Sequence, residues 1–468
     1  MPQPVRRSVV LAVCCMSLFI VGLDNTIVNL ALPSIRADLD ASVPSLQWTI
    51  DAYTLVLASL LMLSGSTADR LGRRRTFQTG LVLFGLGSLL CGIAPNAGLL
   101  IAFRALQAVG GSMLNPVALS IITNIFTEPR ERARAIGVWA GVVGLSMAVG
   151  PVLGGALVGW VGWRSIFWIN VPVVLAALVL TAMFVPESRA PRPRRLDPVG
   201  QVLVIVVLAG LTYAIIEGRV AGWGSLKIVG CFVLAGLALA SFVPYERRRV
   251  DPLLELRFFR SVPFSGATLL AVSGFAALAG FLFLNTLYLQ ETRGFSALHA
   301  GLLTLPMAVV TAVCAPLSGR LVAARGPRLP LLVAGAGIAA SGVMLTGLAP
   351  GTPIPVLVLA YAVFGAGFGM LNAPITNSAV SGMPRAQAGL AAAVASTSRQ
   401  VGISLGVAVI GTVAAAQGSA PGVSRTGWAI VAGCGVLVLL LGFVTTGRWA
   451  QATASVVETN RHVAPTLG

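Results

Sequence analysis

The sequence predicts an all-α integral membrane protein, and three observations carry that prediction. Fourteen apolar stretches, each about 20 residues long, run through the 468-residue chain; a helix rising about 1.5 Å per residue needs that length to cross the hydrocarbon core. Only 10% of the residues are charged, against roughly 25% in a soluble domain, and mean hydropathy is +0.89. The arginines fall in every second gap between the apolar stretches.

Spans are expected at residues 8–33, 46–66, 77–95, 99–123, 133–158, 164–186, 197–216, 226–244, 263–289, 298–320, 329–348, 354–377, 386–414 and 424–447. Lipid offers no partner for backbone N–H and C=O groups, so each should be a helix. The runs are too long and too uniformly apolar for the alternating strands of a barrel. The first run follows Arg6 and Arg7 as a secretory signal would. No small-residue cleavage site closes it, and it continues to Pro33, so an uncleaved first helix is expected.

A net charge of +17 would suggest nucleic acid in a soluble protein. Here the positions argue otherwise. With the N-terminus inside, Lys and Arg favour the cytoplasmic loops by roughly four to one, the positive-inside pattern. The basic loops then face anionic headgroups and no nucleic acid is expected. Both termini are placed in the cytoplasm of a bacterial plasma membrane. The six cysteines lie within spans and none forms C-x-x-C, so buried free thiols are expected. There are two histidines and no G-x-x-x-x-G-K-[ST] loop, which argues against a membrane enzyme and against ATP hydrolysis. No metal or cofactor is expected.

The longer breaks, 187–196 and 245–262, bracket two spans, giving six, two and six. The expected organisation is a first bundle at 8–186, a linker with two extra helices at 187–262, a second bundle at 263–447 and a cytoplasmic tail at 448–468. The basic turn at 65–75 echoes that at 318–328, which supports two equivalent halves.

The motifs sharpen this. Gly65-Ser-Thr-Ala-Asp69-Arg70-Leu-Gly72-Arg73-Arg74-Arg75 resembles the loop motif of the major facilitator superfamily, G-x-x-x-D-R-x-G-R-R-R. Gly72 permits a tight turn, and Asp69 can cap a neighbouring helix or pair with arginine. The resemblance implies a conformational latch made by Gly65, Asp69, Arg70, Gly72 and Arg73. Leu23-Asp24-Asn25-Thr26 in the first span is similar to the first-helix motif of the fourteen-spanner drug:proton antiporters. In span five, Gly150-Pro151-x-x-Gly154-Gly155 matches that family's antiport motif. Its small residues at i and i+4 permit close helix packing, and Pro151 removes a backbone donor. The implied fold is two six-helix bundles plus two inserted helices. The implied activity is efflux of amphipathic, drug-like small molecules in exchange for protons, by a monomer in the bilayer.

Charges inside the spans are functional candidates because burying them is costly. Asp24, Asp51 and Arg104 all fall in the outer third of the first bundle. Arg104 can neutralise one acid while the other titrates, so these three are the expected proton-coupling residues. In the second bundle Arg399 lies about 20 Å along span thirteen, with no acid of that bundle at its depth. A carbonyl, Asn372, Asn377, Gln400, a first-bundle acid or the substrate could face it. Asn285, Tyr288, Asn372, Arg399 and Gln400 are the candidate cavity residues.

Overall fold

A computed structural model describes residues 7–189, 197–249, 252–380, 388–416, 423–447, 449–450 and 452–453. Most of the expected 448–468 tail and part of the 187–196 linker lie outside the described residues. The described residues contain helices and turns and no strand. In chain order the helices are α1 (Arg7–Leu39), α2 (Val43–Leu71), α3 (Arg73–Gly92), α4 (Ala97–Ile125), α5 (Pro129–Trp160), α6 (Ser165–Trp168) and α7 (Asn170–Phe184). They continue with α8 (Pro198–Ala221), α9 (Leu226–Arg247), α10 (Val262–Leu287), α11 (Ala297–Arg325) and α12 (Arg328–Leu345). Last come α13 (Ile354–Gly369), α14 (Asn372–Val380), α15 (Ala388–Ala416) and α16 (Arg425–Thr445).

Among the described residues, 12 spans are long and apolar enough to cross a membrane, with α6–α7 and α13–α14 each forming one of them. The expectation of fourteen is met only that far. The helices α3 and α5 exist but are less apolar. Three arginines and four glycines dilute α3; α5 opens on Arg130, Glu131, Arg132 and Arg134, and its apolar part shortens to Leu145–Trp160.

Short polar side chains start many of these helices. Ser42, Asn96, Glu128, Ser225, Ser296 and Ser424 each accept a hydrogen bond from a first-turn amide that the helix leaves without a partner. Asp197 does the same for α8 through the Gly200 amide. Burial would raise its pKa, but that amide, the Tyr245 hydroxyl, Glu246 and Arg249 together hold it below the usual carboxylate range.

Two core clusters follow the halves, and a third crosses them, joining Leu23, Ile27 and Phe167 to Ala279, Phe283 and Val407. One buried cluster joins Val10, Tyr53, Phe77, Phe84, Leu114 and Val174 of the first half. A larger one joins Phe264, Phe281, Tyr361, Phe364 and Trp428 of the second. Outward faces stay apolar: Val233, Leu234, Leu237 and Leu239 of α9 are all exposed, as lipid contact demands. All six cysteines are free thiols.

Consecutive helices reverse direction, so the turns at 72, 126–128, 185–189, 248–261 and 326–327 share one end, here the basic end. The hydrogen bonds and ion pairs that directly join the two halves lie toward the opposite, far end. Arg36 pairs with Glu291 at 3.0 Å. The Gln290 amide donates to the Leu30 carbonyl at 2.8 Å, and Gln47 donates to the Val407 and Ala408 carbonyls at 3.1 and 3.0 Å. The inserted helix α8 lies along the seam between α2 and α15. It bonds to both: Gln201 donates to the Ser59 carbonyl, Trp48 donates to Glu217, and Thr212 meets Ser404.

Candidate functional site

Asp24 and Arg104 come together in the middle of the first half. Both are fully buried, at 0% and 1% exposed, and Arg104 Nη1 donates to Asp24 Oδ2 at 2.6 Å. The same nitrogen reaches Gln107 Oε1 at 2.7 Å, and Arg104 Nε donates to the Thr49 carbonyl at 3.1 Å. Gln107 Nε2 donates to Asp24 Oδ1 at 3.0 Å and to Ser88 Oγ at 3.2 Å. Asn170 also donates to Ser88, whose hydroxyl donates to the Phe167 carbonyl. The guanidinium lies 4.3 Å from the Tyr53 ring centroid. A buried ion pair is tolerable only when its remaining donors and acceptors are satisfied in this way. Gln107, Ser88 and Asn170 were not singled out from sequence. Gln107, one helical turn after Arg104, was the available signal.

Asp51 stands apart from this network. It is fully buried on α2, where α2 packs on α15 of the other half. Its Oδ1 accepts a 3.4 Å bond from the Thr54 hydroxyl, and Ser404 of α15 is its other polar neighbour. Its Oδ2 has no hydrogen-bond partner. One acid is thus neutralised by Arg104, and the other sits at the seam without a cation.

The loop motif turns at Gly72, whose φ of +115° favours glycine. A Cβ there would meet Glu187 Oε1 at 2.5 Å. Asp69 pairs with Arg73 at 3.1 Å along its own chain segment. The cap on α3 is instead Glu187, which accepts from the Arg74 and Arg75 amides at 3.1 and 3.3 Å. Gly65 has open space where a Cβ would point, and Arg70 lies in the last turn of α2.

The glycines of α5 serve two different neighbours. A Cβ on Gly150 would sit 2.1 Å from Thr26 Oγ1, and one on Gly154 would sit 2.4 Å from Ile27 Cγ1, both on α1. A Cβ on Gly155 would sit 2.6 Å from the Ala297 carbonyl oxygen and from Leu298 Cα, backbone atoms of α11. The Pro151 carbonyl approaches Gly301 of α11 as closely as 2.2 Å from where its Cβ would be. The motif is therefore a three-helix contact that joins the two halves toward the far end. Gly155→Leu should wedge this contact apart. Overpacking of about 1–3 kcal/mol should lower the population closed at the far end, relative to the open one, roughly 5- to 150-fold, at about 1.4 kcal/mol per tenfold. Disulfide formation between cysteines placed at Arg36 and Glu291 reads that population; an unchanged rate would rule the wedge out.

In the second half two of the candidate cavity residues are held by hydrogen bonds. Asn285 accepts a hydrogen bond from the Tyr361 hydroxyl, and Tyr288 donates to the Ala349 carbonyl at 2.8 Å. Both are buried within that half's core, at 2% and 0% exposed. The helix α10 is apolar all round, so its sequence does not say which face turns inward. Asn372, Arg399 and Gln400 do keep part of their surface exposed. Arg399 Nη2 donates to Thr376 Oγ1 at 2.8 Å, a partner the sequence reading did not name.

Residues 14–407 match the family model described as the Major Facilitator Superfamily. The chain belongs to the Major Facilitator Superfamily. It is therefore a transporter and not an enzyme. Relatives within the superfamily include the multidrug resistance protein Stp of Mycobacterium tuberculosis, 36% identical over 405 residues, covering 86% of this chain and 75% of that protein. The tetracenomycin C resistance and export protein of Streptomyces glaucescens is 38% identical over 398 residues, covering 85% and 74%. The puromycin resistance protein pur8 of Streptomyces alboniger is 39% identical over 416 residues, covering 88% and 82%. Among solved structures, the inward open conformation of the xylose transporter XylE from E. coli aligns with a TM-score of 0.65. It covers 94% of this chain and 96% of that one at 16% identity, a likeness of fold.

Proposed function

We propose that this protein exports amphipathic organic compounds, antibiotics among them, in exchange for protons by alternating access. The observation that carries the reading is the division of labour between two buried acids. Asp24 is neutralised by Arg104 at 2.6 Å, which leaves Asp51 as the acid able to exchange a proton. Because Asp51 lies on the seam between the halves, its proton and the closure of the far end act on one contact. The names of the relatives, which speak of multidrug, tetracenomycin C and puromycin resistance, support the substrate class.

In this reading the basic end is cytoplasmic, as the positive-inside pattern suggests, and the transporter works as a monomer in the plasma membrane. The helices α3 and α5 also cross the membrane in this reading: α3 packs on α4 and α7, and α5 on α1 and α11. Residues 8–186 and 263–447 then move against each other. The far end is closed in this reading, and Asp69 pairs with Arg73 within its own segment at 3.1 Å.

A drug-susceptibility panel in an efflux-deficient host identifies exported compounds. Adding one of them to inside-out vesicles with a preformed pH gradient should then release protons. Accumulation of the compound with no proton movement would remove the coupling from the proposal.

A further inference from the structure

Arg399 is a cation without an anion. Its Nη2 donates to Thr376 Oγ1 at 2.8 Å, its Nε is buried with no partner, and among the described residues no carboxylate pairs with it. Leaving a guanidinium donor in a protein interior with nothing to bond is costly unless something supplies the acceptor. Water can do so in part, since the residue keeps some exposed surface. A planar fork of donors is nonetheless built for a two-oxygen anion.

The surroundings narrow the ligand. The guanidinium carbon is 5.9 Å from the Phe275 ring centroid, and Phe275 packs edge-on against Phe368 at 5.2 Å. These rings come from α10 and from the end of α13. Next to Phe368 the span breaks between Gly369 and Asn372. Pro374 causes the break: it has no N–H for the Met370 carbonyl four residues back, and the Ser318 hydroxyl donates to that carbonyl instead, at 2.8 Å. The break brings Asn372 and Thr376 of α14 toward α15. Asn372 Oδ1 and Gln400 Oε1 are both buried acceptors with no partner. The second half thus offers, beside one broken helix, a guanidinium with its Nε unpartnered, an aromatic edge and two open amide oxygens. Discontinuous helices of this kind recur at transporter binding sites.

We infer that Arg399, Phe275, Phe368, Asn372 and Gln400 form a recognition site for an aromatic compound bearing an anionic oxygen group, a carboxylate, phenolate or sulfonate. The inference deepens the proposed export function and rests on it for the idea that a small molecule binds between the halves. The anion docks on Arg399 and the ring against Phe275. Ser404, the polar neighbour of Asp51, lies five residues further along α15, about 7.5 Å by helix rise.

The test uses purified full-length protein in nanodiscs of zwitterionic lipid. The probes are the fluorescent sulfonate 1-anilinonaphthalene-8-sulfonate and its neutral parent N-phenyl-1-naphthylamine, each corrected for empty nanodiscs. Wild type should bind the sulfonate at least tenfold more tightly than Arg399→Gln does, about 1.4 kcal/mol or more. The neutral probe should bind both proteins within about twofold, which also reports that the variant is folded. Arg399→Lys should fall between them, because it keeps the charge and loses the fork. Equal sulfonate affinity in wild type and Arg399→Gln overturns the inference, as does a parallel loss of both probes with Arg399→Lys unaffected. Should Arg399→Gln fail to fold, wild type alone decides: no preference for the sulfonate over the neutral probe overturns it. Equilibrium binding needs no gradient. Sulfonate binding through Arg399 without proton release in vesicles defeats the export reading alone, and proton-coupled export of neutral compounds only defeats this inference alone.

Discussion

Asp51→Asn is expected to reduce substrate-driven proton release to the level of empty vesicles while leaving the protein folded. The substitution keeps the size and shape of the side chain and removes the ionisable group. In the structure the polar neighbours of Asp51 are the hydroxyls of Thr54, at 3.4 Å, and Ser404, so no ion pair is lost. Unfolding temperature should stay within about 2 °C of wild type, a change below roughly 1 kcal/mol for a chain of this size. Binding of the exported compound should persist, because the cavity residues of the second half are untouched. Proton release at the wild-type rate in this variant would show that Asp51 is not the coupling acid. The decisive comparison is made in the same vesicles, with protein level and orientation matched.

Asp24→Ala is expected to act through stability. It leaves Arg104 at 1% exposure with its charge uncompensated. Breaking a buried ion pair by removing one partner costs about 3–5 kcal/mol. The lost bond from Gln107 at 3.0 Å adds to this. The double variant Asp24→Asn, Arg104→Gln should recover much of the loss, since amides can rebuild the bonds to Gln107 and Thr49 without a charge. Thermal unfolding of the single and double variants in detergent measures the coupling. A coupling energy above roughly 1 kcal/mol is expected for groups in one network, and strict additivity would contradict the picture of a closed network. The two acids are thereby separable: one variant unfolds the protein, the other uncouples it.

Much of this was legible in the sequence, for physical reasons. Twenty-residue apolar runs have few alternatives in lipid, so the helices and their order could be drawn. An aspartate and an arginine at equal depth in one bundle, Asp24 and Arg104, had to find each other or water. The turn at Gly72 followed from its glycine. Other features depend on which face of a helix turns inward, and uniformly apolar helices carry no such signal. That is why the burial of Asn285 and Tyr288 within the second half is not readable from α10 alone. It is also why the cap on α3 came as Glu187, more than a hundred residues away in sequence, when Asp69 was the nearer acid. The break at Met370–Leu371 was written in Pro374, but a proline in a transmembrane helix predicts a lost hydrogen bond without saying who replaces it. Ser318 supplies the answer only in three dimensions.

The hairpin of α8 and α9 has a consequence for traffic from the lipid. It leans on the α2–α15 seam, while the α5–α11 seam has no such cover among the described residues. The molecule's two flanks therefore present unequal doors to the leaflet. A greasy compound drifting sideways through the bilayer meets a shutter on one flank and, on the other, bare helices whose fit relies on glycine. In the proposed export cycle sideways admission would be a one-flank affair, which bulky substituents at Gly155 or Gly301 would alter.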